Sequence, residues 1–207
     1  MRYPLVAARD CQIESIRCKS GDSIKFHPFP HDRLTEVLFA GQLCPLLQGA
    51  DVLMHSMRPQ KLARLGLDPD SLRKQYPRLI YVGLHGFGED GPYAGQPAYD
   101  DVIQGMSGLA DLMQRQTGEA RYLPTIAADK TCALVAAHAV LAALYQRERS
   151  GEGSYVEVPM YETMAGFNLV EHFYGQHFEP PRSAPGYPRV LAPWRRPYRT
   201  ADGLVAM

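Results

Sequence analysis

Residues Leu79–Leu84 (LIYVGL) form a continuous apolar run that passes straight into His85-Gly86-Phe87-Gly88-Glu89-Asp90-Gly91-Pro92. A strand without polar alternation is buried on both faces, the pattern of a parallel sheet covered by helices. A glycine-rich loop after such a strand lies where open α/β sheets place ligands. The rest of the chain alternates in the same sense. Leu34, Val37, Leu38 and Leu43 suggest a helix from Asp32 that Pro45 ends, and Asp51–Met54 reads as a short strand. Asp68-Pro69 is an N-cap followed by Pro at the first helical position, opening a helix through Tyr76 that Pro77 ends. A helix from Tyr99 to Met113 and a stronger one from Lys130 to Arg149, stopped by Ser150-Gly151, come next. Tyr155–Val158 reads as a strand and Pro159–Phe178 as a further helix. This order predicts an α/β fold with a mainly parallel sheet and flanking helices.

The two ends are less regular. Residues 1–31 show no sustained periodicity. Glu179 to Pro197, rich in Pro and Arg, reads as an extended crossing arm. Tyr198–Met207 reads as a strand, an Ala-Asp-Gly turn and the start of a strand with no visible partner, a hint that the chain is incomplete.

Charge narrows the function classes. The 22 basic and 22 acidic residues cancel over 207 positions, which argues against a nucleic-acid or anionic-membrane binder. The balance is locally uneven. Residues 58–78 carry six basic and two acidic side chains, whereas Leu79 to Gln114 holds five acids and no Lys or Arg. That distribution fits a local anion site. Cys11, Cys18, Cys44 and Cys132 make no CxxC pair, so neither a zinc site nor a disulfide framework is indicated, and they read as reduced thiols. The longest apolar run, Thr131 to Tyr145, falls short of the ~20 residues that span a bilayer. A soluble, cytoplasmic protein is expected, with no nucleic-acid or membrane partner and no metal.

Asp129 stands directly before the long apolar helix. It suits a plain N-cap, and the same position suits a nucleophile, because helix dipole and free N–H groups favour a charged carboxylate there. Gly86, Gly88 and Gly91 suit a turn needing positive φ, and fit neither GxGxxG nor the Walker pattern. Arg58 and Arg64 can meet phosphate oxygens or simply form a solvated face. His55, His85 and His138 have no ligand or triad partner at recognisable spacing and read as structural. Phe167, Tyr174 and Trp194 suit an acyl pocket, though core packing is the commoner use.

Several of these segments fall together in one pattern. Asp51-Val-Leu-Met-His-Ser-Met-Arg-Pro59 followed by Leu62-Ala-Arg-Leu-Gly-Leu67 resembles the "DVLxxxxRP…LxRLGL" signature of family III CoA-transferases, the carnitine/bile-acid-inducible group. Pro77-Arg-Leu-Ile-Tyr81 leading to Gly86-Phe-Gly88 and Gly91-Pro-Tyr93 is similar to that family's "NPRLIYxxxxGFGxxGPY". Pro97-Ala-Tyr-Asp100, Gln104-Gly-Met-Ser-Gly108 and Arg147-Glu-Arg-Ser-Gly-Glu-Gly153 continue the match in order, from Gln42 to the end of the chain.

The resemblance implies a Rossmann-like large domain over residues 42–178, a divergent segment over 1–41, and a linker arm with the next strands over 179–207. It implies Asp129 as the catalytic residue and Ser56, Met57 and Arg64 as CoA contacts, with Ser56 and Met57 standing where the family often has Asn and Phe; Arg58 is expected among the CoA contacts for its charge. Gly86, Gly88 and Tyr99 would border the substrate. Coenzyme A would pass from an acyl-CoA to a carboxylic acid through an aspartyl anhydride and an aspartyl-CoA thioester, with no cofactor beyond CoA itself. Family members form interlocked homodimers. A racemase or dehydratase-type member of the family is an alternative; transferase is favoured over racemase because the racemase's histidine base falls on Tyr99, a phenol of ordinary pKa about 10. Members of the family are roughly twice this length, so the pattern implies a partial chain, and a non-catalytic remnant is the competing expectation.

Overall fold

The structure, a computed structural model, describes residues 5–8, 15–17, 23–25, 43 and 46–206. The chain divides into two compact units. The first comprises residues 1–97 and 132–160, the second residues 98–131 and 161–207.

In the first unit, β1 (Leu5–Ala8), β4 (Val52–His55), β5 (Ile80–His85) and β6 (Tyr155–Pro159) form a parallel sheet in the order β1-β4-β5-β6. β2 (Ser15–Arg17) and β3 (Ser23–Lys25) make a separate antiparallel pair. Two short helices, α1 (Pro59–Leu65) and α2 (Pro69–Gln75), fill the β4-to-β5 connection. α2 starts as its sequence predicts: Pro69 is at the first helical position and the Asp68 carboxylate accepts the Ser71 N–H at 2.9 Å. β5 is buried along its length except for the half-buried Leu84, as an all-apolar run requires.

Period-two alternation divides the unit's core into two clusters. Leu53 and Tyr81 face Leu43, Leu47, Leu62, Leu67, Leu72 and Leu79. Val52, Ile80 and Val82 face Val140 and Ala143 of the 24-residue helix α5 (Ala127–Ser150). Each fully buried aliphatic contributes about 1.5–3 kcal/mol, so this packing outweighs any single hydrogen bond in holding α5 to the sheet. The end of α5 is tied as well. Arg147, 3% exposed, donates to the carbonyls of Asp51 and Arg78 and pairs with the Asp51 carboxylate at 3.0 Å. Just beyond, Gly153 donates its N–H to Pro77, and a Cβ there would stand 2.1 Å from the Leu79 carbonyl oxygen. Only glycine fits that approach.

The second unit holds α3 (Asp100–Met106), α4 (Leu109–Thr117), the first turn of α5, α6 (Met160–Leu169, save its first residue), a 3-10 turn at Tyr174–His177, α7 (Pro188–Leu191) and the hairpin β7 (Tyr198–Arg199) with β8 (Leu204–Val205).

Several sequence expectations change. The helix expected from Tyr99 to Met113 is two helices, broken at Ser107-Gly108, where Gly108 takes φ 85°. α5 begins at Ala127 rather than Lys130. The helix expected through Phe178 stops at Leu169, and the arm after Glu179 contains a helical turn, α7. The last strand does have a partner, since β7 and β8 pair across the Ala-Asp-Gly turn. β1 lies in the region where no periodicity was legible. The helix expected from Asp32 lies outside the described residues up to Leu43, and helical backbone at Leu46 and Leu47 lies beyond Pro45. Finally, α5 is long and apolar enough by composition to cross a bilayer, unlike the shorter run read from the sequence, although the face carrying Ala136, Val140, Ala143 and Arg147 is buried in the protein.

Candidate active site

Asp129 sits within the first turn of α5, not before it. The capping task falls to another carboxylate: Asp100, 9% exposed at the start of α3, accepts the Asp129 N–H on Oδ1 at 3.0 Å. One of the orphan N–H groups of the helix start is thereby satisfied from a different element. The second oxygen of Asp100 accepts from the Gln104 amide at 2.5 Å. Gln104, fully buried, also donates to the Thr125 carbonyl at 3.2 Å and accepts the Leu123 N–H at 2.9 Å. A chain of hydrogen bonds therefore fixes the backbone approaching Asp129 from both α3 and the 123–125 segment. Asp100 and Gln104 are spaced i, i+4, so they share a helix face, a signal present in the sequence but unused. On the following turn, Ser107 accepts from Asn168 of α6 at 3.0 Å, with both side chains buried.

Tyr99 takes the N-cap position of α3 without a side-chain cap bond and is 78% exposed. Phe167, Tyr174 and Trp194 are exposed, which corrects their assignment to core packing. Of the three, Phe167 lines a cleft of about 190 Å³ with Leu112, Met113, Val190 and Leu191, and Arg195 also borders it.

The remaining expected site residues belong to the first unit. Ser56 follows β4 and is exposed; Met57 is half-buried against the leucine cluster. Arg58 occupies the N-cap position of α1 and Arg64 its last turn, both exposed. Six residues of helix separate them by about 9 Å along the axis, so their guanidinium stems rise from opposite ends of α1. Gly86, Gly88 and Gly91 lie in the loop after β5, and none takes the positive φ expected of them. What holds this loop is a side chain on another strand: Glu157 of β6 accepts the Glu89 N–H at 2.8 Å.

That contact draws the two histidines out of isolation. His85 Nε2 lies 3.3 Å from the Glu89 carboxylate, and the His55 and His85 rings stand 5.7 Å apart between centroids. Burial first, and the neighbouring His85 next, push His55 down to about 4. Burial also lowers His85, against the pull of Glu89. The His55 ring is therefore neutral at pH 7. Tyr81, beside His55, donates to the Leu67 carbonyl at 2.8 Å; Tyr155 lies near Glu89 without a hydrogen bond of normal geometry. Burial raises both phenols above their ordinary value. His138, in contrast, makes a local contact from Nδ1 to the Leu134 carbonyl one turn back in α5.

Comparison with known proteins gives one family throughout. Residues 41–207 match the model of CoA-transferase family III. A "probable fatty acyl-CoA transferase", Rv3272, of Mycobacterium tuberculosis is 33% identical over 177 residues, 80% of this chain and 45% of the relative. The succinate–glutarate CoA-transferase of Agrobacterium fabrum is 35% identical over 120 residues, 58% of this chain and 30% of the relative. Among solved structures, a CAIB/BAIF family protein from Brucella suis superimposes with a TM-score of 0.67 at 28% identity, covering 80% of this chain and 44% of that one. The chain thus spans less than half the length of these relatives. The family match nevertheless covers most of the chain, including β4, β5 and β6 of the parallel sheet and the Asp129 helix. The chain belongs to CoA-transferase family III.

Proposed function

We propose that this site transfers coenzyme A from an acyl-CoA donor to a carboxylic acid acceptor, with Asp129 as the nucleophile. The observation that carries the reading is the placement of Asp129 in the first turn of α5, with its backbone N–H held by a buried carboxylate on α3. A nucleophile fixed by its own main chain approaches a carbonyl with little orientational freedom to lose. The relatives named as CoA-transferases support the same chemistry.

The steps balance without a redox or metal partner. A carboxylate oxygen of Asp129 attacks the thioester carbon, the C–S bond breaks, and CoA thiolate leaves a mixed anhydride behind. The thiolate attacks the aspartyl carbon of the anhydride, releasing the donor acid and forming the aspartyl-CoA thioester. The acceptor carboxylate attacks that thioester, and the thiolate then takes the acceptor acyl carbon, restoring the Asp129 carboxylate. Arg64 and Arg58 supply exposed cations for the CoA phosphates, with Ser56 and Met57 beside them. Gly86 and Gly88, in the loop after β5 of the first unit, are assigned to substrate contact by the family pattern, as is Tyr99 of the second unit by itself. A cytoplasmic homodimer belongs to the same proposal.

The test is chemical trapping. Folded full-length chain incubated with succinyl-CoA or acetyl-CoA and then hydroxylamine should give a hydroxamate on the peptide carrying Asp129, read by mass spectrometry. Asp129→Ala should lose it, with transfer falling at least about a thousandfold, roughly 4 kcal/mol of transition-state stabilisation. A folded wild-type chain with no adduct would point instead to a non-catalytic role.

A further inference from the structure

The register of the parallel sheet brings together a second set of reactive groups that CoA transfer does not use. His55 on β4 stands opposite Gly83 on β5, and Gly83 stands opposite Glu157 on β6. These three positions point to one face of the sheet. Glycine in the middle matters because a Cβ there would lie 2.5 Å from His85 Nε2. The imidazole of His85 folds back into the space a side chain would fill. It arrives between Glu89 from the loop and Glu157 from β6. One ligand atom from each of His85, Glu89 and Glu157 lies within 4.8 Å of the other two.

The chemistry of the set is specific. The set offers one imidazole nitrogen and two carboxyl groups as donors. Ligands about 2.0–2.1 Å from zinc at the tetrahedral angle stand roughly 3.3 Å apart. His85 Nε2 and the Glu89 carboxylate are already 3.3 Å apart.

A separate observation comes from His55, 3% exposed. Its Nδ1 accepts the Met57 N–H at 3.2 Å, which assigns the ring proton to Nε2. That N–H is buried and has no acceptor among the described residues. A buried donor left unpaired costs about 1–3 kcal/mol, so its persistence calls for a ligand that accepts from it.

We propose that His85, Glu89 and Glu157 form a site for a divalent transition-metal cation of the zinc type, with solvent completing its coordination and giving His55 Nε2–H its acceptor. The mixed nitrogen and oxygen donors favour zinc or cobalt over magnesium, which demands an oxygen octahedron. The cation would clamp the loop after β5 to the end of β6. The assignment does not rest on the CoA-transferase reading.

The test uses the full-length chain stripped with a chelator and titrated with zinc chloride by calorimetry. One equivalent should bind, zinc should raise the thermal unfolding midpoint, and cobalt should give visible absorption bands. Glu89→Gln, at a half-buried position, should weaken zinc binding at least about tenfold, as should His85→Gln. Asp129→Ala should bind zinc like the wild type, which separates this outcome from any failure of transfer. Absence of stoichiometric binding, unchanged binding in both ligand variants, or an equal response to magnesium would overturn the proposal.

Discussion

The buried polar groups of the two units are built on opposite terms. Around Asp129, Gln104 spends both amide hydrogens and its carbonyl oxygen on partners, and Asp100 uses both oxygens. Around His85, the Nε2–H of His55 is buried with no partner among the described residues. A fully satisfied network fixes geometry, because breaking any member strands the others. An unsatisfied one has capacity to spare, and that capacity is where an outside ligand can lower the free energy. The first arrangement holds the backbone at Asp129 in one place. The second suits a site that gains from being filled.

Substitution can break this contrast. Gln104→Leu should cost about 3 kcal/mol in urea unfolding, since it removes three hydrogen bonds and leaves Asp100, the Thr125 carbonyl and the Leu123 N–H without Gln104. A cost below about 1 kcal/mol would show that the network is not tight. His55→Phe should cost less, about 1 kcal/mol, because it gives up one acceptor for the Met57 N–H while removing an unpaired donor. If it costs as much as Gln104→Leu in metal-free protein, the two clusters do not differ in the way described. The mildest case is an exposed cap outside both. Asp68→Ala should lose about 1 kcal/mol at neutral pH. The Ser71 N–H holds the folded Asp68 carboxyl below its unfolded value of 3.8, so this contribution is present above pH 3.8 and disappears as pH falls through the lower folded value. Wild type and variant should converge in acid, and a gap that persists there would place the stabilisation outside the cap.

How much of this was legible beforehand follows from the range of each interaction. β5 and α2 were readable because an apolar run and an Asp-Pro start are local signals. The break at Gly108 was not, because apolar Leu109 and Leu112 continue a helical pattern across a residue whose positive φ is visible only in three dimensions. Asp129 suits an N-cap by its sequence position, yet it lies inside the first turn of α5. Any of several residues can start an apolar helix, and the decision fell to Asp100, 29 positions earlier. His85 looked solitary for a related reason. Glu89 is within one turn of it in sequence, but Glu157 reaches the group only through the pairing of β5 with β6. The register of distant strands cannot be read from spacing, and both histidines acquire their surroundings from it.

That same pairing has a consequence for how the chain is made. Tyr81 meets Tyr155 74 positions later, whereas Val52 meets Ile80 after only 28. The longer closure costs roughly 0.9 kcal/mol more in chain entropy. Until β6 arrives, the all-apolar β5 is an open sheet edge, the kind that recruits strands from other chains. At ordinary rates of synthesis that exposure lasts roughly 4–15 s per molecule, so the interval between translating residues 81 and 155 is when this protein most needs a chaperone.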